Sequence, residues 1–108
     1  MKNIQISITP QIDEHTKRVN LTLEGELVLK NLHELTAEVK DIIKQYDEIT
    51  IELKNIINLD LACIQLLLSA KQTALSQQKR ITCKVELPVE ITNVMEHGGL
   101  ADFPAMVN

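Results

Sequence analysis

Four stretches of this chain alternate apolar and polar residues with a period of two. Ile4, Ile6 and Ile8 interleave with Gln5, Ser7 and Thr9, and Val19, Leu21 and Leu23 with Asn20, Thr22 and Glu24. Ile49, Ile51 and Leu53 flank Thr50 and Glu52, and Ile81, Cys83 and Val85 flank Thr82 and Lys84. Side chains of a strand point alternately to its two faces, so each stretch predicts a strand with one buried and one wet face. The first two are joined by TPQIDEHTK, whose Pro10 and Asp13 suit a turn, which predicts an antiparallel hairpin.

Three helical patterns follow. From Leu32 to Tyr46, residues Leu32, Leu35, Val39, Ile42, Ile43 and Tyr46 fall on one face. Asn31 and Glu34 have the spacing of a capping box. A second helix is expected from Leu61 to about Gln78. A third is expected from Pro88, with Ile91, Val94 and Met95 inward and a stop at Gly98-Gly99. The order β-β-α-β-α-β-α contains two β-α-β crossovers, which require parallel strands in the latter part of the sheet. A fully parallel sheet covered on both faces reads as continuous apolar runs, whereas every strand here alternates. The expected fold is therefore α/β: a single two-layer domain over residues 1–108, a four-stranded mixed sheet with its helices on one face.

Composition narrows the function. The 108 residues are enough to bury roughly two-thirds of the extended chain's surface without metal or disulfide. A net charge of −4 and only two aromatics, Tyr46 and Phe103, offer nucleic acid neither a basic patch nor a stacking platform. Cys63 and Cys83 sit in apolar patterns with no CxxC pair, which suits reduced core thiols. The start MKNIQISITPQ lacks the apolar run of a signal peptide, and LACIQLLLSA is too short to insert in a bilayer. The expectation is a cytoplasmic domain without direct membrane insertion.

The segment INLDLACIQLLLSAKQTA carries the most specific chemistry. Asp60 stands where an N-cap belongs, its carboxylate facing the positive end of the helix dipole. With Leu67 at the centre of the buried face, Cys63, Ile64, Ala70 and Ala74 fall within roughly 60° of it. Leu61 and Ala62 land roughly 120–140° away, on the outward side of the first turn. No acid–base pair or activated nucleophile can be assembled around Asp60, so no catalytic residue is assigned. His15, His33 and His97 show no ligand spacing, so no metal site is assigned either. Gly25, Gly98 and Gly99 make no phosphate-binding loop, and no cofactor is expected.

The chain resembles the STAS domain family, the sulfate-transporter and anti-sigma-factor-antagonist domains, from LTLEGELVLKNLHEL through ITIELKNIINLDLACIQLLLSAK to GGLADF. In that family a motif of the form Asp-Ser/Thr-Ser/Ala-Gly-Leu opens a helix. Its hydroxyl is phosphorylated by a partner kinase, which breaks binding to that kinase. Here Asp60 matches the motif Asp, Leu61 and Ala62 the hydroxyl positions and Cys63 the Gly, so the phosphoacceptor is missing. The nearest downstream hydroxyl, Ser69, lies about 13 Å further along the helix. Glu52 stands where many relatives have Asp. The resemblance implies a non-enzymatic bacterial signalling module. Its docking surface would be Asn58, Leu59, Asp60, Leu61, Ala62 and Cys63 with the adjoining loop from Asn55, and it would lack the family's phosphoswitch. The implied partner is a protein: an anti-sigma-type kinase, a chemotaxis-type signalling protein, or the ATPase of a transport complex that includes a small STAS subunit. A nucleotide- or small-ligand-sensing domain is the further alternative, and homodimerisation is left open.

Overall fold

The computed structural model describes residues 3–87. The third helix expected from Pro88, with His97, Gly98-Gly99 and GGLADF, lies outside the described residues. Strand β1 (Ile4–Ile12) is followed by β2 (Lys17–Leu27), a 3-10 turn (Leu29–Asn31) and helix α1 (Leu32–Gln45). Then come β3 (Glu48–Leu59), α2 (Leu61–Ser76) and β4 (Arg80–Val85). The sheet order is β1-β2-β3-β4, with β1 antiparallel to β2 and the other pairs parallel. This is the mixed four-stranded sheet that the alternation and crossovers require.

Register explains why the core lies on one side. Val19, Leu21 and Leu23 pair with Ile49, Ile51 and Leu53, and Ile51 pairs with Cys83. Residues paired across strands share a face. All seven are buried, and Leu35, Val39, Ile42 and Ile43 of α1 join Cys63, Ile64, Leu67 and Ala70 of α2 against them. The opposite face is polar, with Asn20, Thr22, Thr50, Glu52, Thr82 and Lys84. There Glu48 bridges Arg18 at 2.7 Å and Arg80 at 3.3 Å across three paired strands.

Two local expectations are corrected. Pro10 lies inside β1, opposite Val19, and the turn is made by residues 13–16. There the Asp13 carboxylate accepts the N–H groups of His15 (3.0 Å) and Thr16 (2.8 Å), a side-chain-closed turn that depresses its pKa. Asn31 makes no capping bond from its side chain. Its buried amide instead donates to the Glu26 carbonyl at 2.8 Å, fastening the end of β2 to the turn before α1.

Gly25 is the one glycine among the described residues, and its place is strict. Its φ is +101°, and a Cβ there would collide with the Asn3 carbonyl oxygen. That oxygen accepts the Glu26 N–H at 2.8 Å, closing the open end of the β1–β2 ladder.

Candidate functional site

The carboxyl ends of β2 and β3 converge on the start of α2. β3 reaches this point through two irregularities, because Glu24, Gly25 and Glu26 pair with Lys54, Ile56 and Asn58. Asn55 and Ile57 are therefore extra residues with no opposite number on β2. Asn55 absorbs the bend with φ +49°, a conformation Asn tolerates, and its amide donates to Glu24 at 3.1 Å. The stretch from Asn55 to Leu59, expected as a loop, is thus the bulged end of a strand. Its distortion keeps Ile56 in the core and turns Ile57 outward.

Asp60 fastens this junction. Its backbone N–H donates to the Leu27 carbonyl at 3.0 Å, and its own carbonyl accepts the Ile64 N–H at 3.1 Å. One carboxylate oxygen accepts the Cys63 N–H at 3.2 Å and the other the Leu29 N–H at 2.6 Å. A single side chain caps α2 and ties it to the 3-10 turn thirty-one positions earlier. The first contact follows from N-cap spacing, whereas the second depends on the fold and has no local signal.

Around this bracket the side chains divide. Cys63 is buried, and its thiol is pushed up to about 12 by burial, the neighbouring Asp60 charge and a hydrogen bond to that carboxylate. Such a thiol packs as a small apolar group rather than reacting as a thiolate. Ala62 and Leu59 are half-buried, and Asn58 is exposed, its side-chain oxygen accepting the Leu59 N–H at 3.0 Å. Leu61 is 54% exposed, Ile57 70% and Leu29 65%. Leu29 was not singled out from the sequence. Only its place two residues after β2 and the Asp60 bond bring it to this end of the sheet.

Chemically, the junction presents apolar side chains on a fixed backbone. An anion entering at the α2 N-terminus would meet the Asp60 carboxylate already bonded to the Cys63 amide. The cleft between α1 and α2, walled by Val39, Ile43, Leu66, Ala70 and Thr73, measures about 230 Å³, below the usual size of a small-molecule site. No helix among the described residues is long and apolar enough to cross a membrane.

Several solved structures share this fold. The anti-sigma-factor antagonist SpoIIAA in its unphosphorylated form superposes with a TM-score of 0.61 at 17% identity, over 90% of this chain and 84% of that one. The phosphorylated form of SpoIIAA, the Bacillus cell fate determinant, gives 0.59 at 16% identity, over 90% and 87%. The STAS domain of an antisigma-factor antagonist from Rhodobacter sphaeroides gives 0.52 at 14%, over 74% and 84%. No curated protein matches the chain by sequence. The family model described as "Mlab, STAS domain" matches residues 11–107, and the chain belongs to that family of STAS domains.

Proposed function

We propose that this STAS domain is a non-enzymatic module that docks a protein partner through the junction of β2, β3 and α2. The observation that carries this reading is Leu61: an exposed leucine on the first turn of a helix whose start Asp60 holds rigid. Leu61 is the apolar anchor, Asn58 and Leu59 lead into it, Ala62 allows close approach, and Asp60 and Cys63 hold the turn from below. An exposed large apolar side chain on a rigidly held backbone is suited to fill a pocket on a partner.

The surface works without the family's phosphate switch. A phosphate would add nearly two negative charges at the helix start, and neither Leu61 nor Ala62 has a hydroxyl to carry it. Binding is therefore governed by the partner's state or abundance. The partner is a signalling protein of the anti-sigma-kinase or chemotaxis type. A second reading keeps the surface and replaces that partner with the ATPase of a transport complex. The lost acceptor favours it equally, since a constitutive subunit needs no switch.

Affinity capture from native lysate with the wild-type chain and Leu61→Glu tests both. A protein retained by the wild type and lost by the variant supports the docking surface, and its class, kinase-like or transport ATPase, decides between the readings. Equal recovery of every captured protein contradicts the surface.

A further inference from the structure

The geometry points to a second interaction surface: the open edge of β1, at which two copies of this chain pair antiparallel about a two-fold axis. The direction of the backbone groups along β1 is fixed by its ends. The Asn3 carbonyl accepts from Glu26 and the Asp13 N–H donates to Thr16, both across the β1–β2 ladder. The register between them is unbroken. Odd-numbered residues of β1 therefore turn their N–H and C=O groups to β2, and even-numbered residues turn theirs outward. Ile4, Ile6, Ile8 and Ile12 each present a donor and an acceptor on that edge. Among the described residues no segment pairs with it. Pro10 falls on an outward position too, so its missing N–H costs the β1–β2 ladder nothing.

Strand edges that must stay single are guarded by charge, proline, shortness or distortion, and Pro10 so guards the far end of this edge, which confines the pairing to Ile4, Ile6 and Ile8. β4, the other edge, is six residues long and carries Arg80 and Lys84. β1 is nine residues long, and from Asn3 to Ile12 the chain has no charged residue. That neutrality bears on the occupant. An isologous contact sets each residue against one from the same strand, so any charge would face its like or a near neighbour of like sign. Here uncharged Gln5, Ser7 and Thr9 meet on one face. On the other, the isoleucine rows of the two copies join. Ile8 (42% exposed) and Ile12 (66%) lie in that row, on the helix-bearing side but incompletely covered.

Sedimentation velocity of the full chain over a wide concentration range tests this, together with amide exchange. The expected result is a reversible rise in mass from one 12.2 kDa chain towards two. Exchange at Ile4, Ile6 and Ile8 should slow with the same concentration dependence. Ile8→Pro removes an outward donor and Ile8→Lys introduces a charge, and neither touches the bonds to β2. Each should weaken self-association about tenfold or more, with the fold retained as judged by circular dichroism of the dilute chain. A wild type that stays single at every concentration overturns the proposal. So does a dimer indifferent to both variants, and so does protection of Ile6 and Ile8 that is independent of concentration, which would mean the chain covers its own edge.

Discussion

The two helices lie on the same side of the sheet, yet they meet solvent differently. α1 buries Leu35, Val39, Ile42 and Ile43 and turns His33, Lys40, Asp41 and Lys44 outward. α2 buries Cys63, Ile64, Leu67, Ala70 and Ala74, but in sixteen residues it has a single charge, Lys71. Its first turn exposes Leu61 and its last exposes Leu75. The outward face of α1 is explained by solvation alone. That of α2 is not, because an exposed leucine at its start, next to Asp60, adds nothing to the fold of an isolated chain. That contrast is why the proposed docking surface is placed on α2, with α1 as support.

The sharpest way to break that contrast is to charge each helix in turn. Leu61→Glu should reduce partner affinity about a hundredfold, some 3 kcal/mol, by calorimetric titration, with unfolding free energy unchanged to within about 0.5 kcal/mol. Lys40→Glu on α1 should change neither. Next in size is the bracket. Asp60→Ala strips acceptors from the Leu29 and Cys63 amides, so denaturant titration should show a loss of about 2 kcal/mol. Inward and outward positions of the α2 first turn can be read from thiol chemistry. A Leu61→Cys thiol should alkylate at least about tenfold faster than Cys63 or Cys83 in the folded protein.

The same two native thiols give stability a pH dependence. Their ordinary value is 9.0, and in the fold Cys63 is held at about 12 and Cys83 at about 11, burial being the main cause in both. Above pH 9.0 the unfolded chain releases protons that the folded one keeps. The thiols' contribution to stability should therefore be level from neutral pH to about that value and fall as pH climbs towards the folded values, and denaturant midpoints from pH 7 upward check it. The smallest effect concerns the far end of α2. Lys79 and Gln78 donate to the Ala74 and Leu75 carbonyls, and Gln78 takes φ +61° to do so. Gln78→Gly should relieve that conformation and raise stability by about 1 kcal/mol.

The sheet and both described helices were legible because one face of each is buried, and burial imposes a period that the sequence must carry. Asp60 as a cap was legible for a similar reason: its partner, the Cys63 amide, is three residues away. Signals failed where the partner is distant or the conformation ambiguous. Pro10 reads as a turn residue, and only the direction of the β1 backbone makes it harmless in a strand. Asn31 has the right spacing for a cap, but the Glu26 carbonyl is the acceptor the fold brings to it. The exposure of Ile57 follows from bulges that depend on pairing with Gly25, and Leu29 joins the site only through the second oxygen of Asp60.

The central claim is that a partner covers the first turn of α2 and the strand ends beside it. Amide exchange of the full chain, free and saturated with the protein captured through Leu61, tests this most directly. The account predicts protection confined to residues 29–31 and 57–63, with the outer face of α1 unchanged. Protection along α1, with residues 57–63 exchanging as in the free chain, would contradict it.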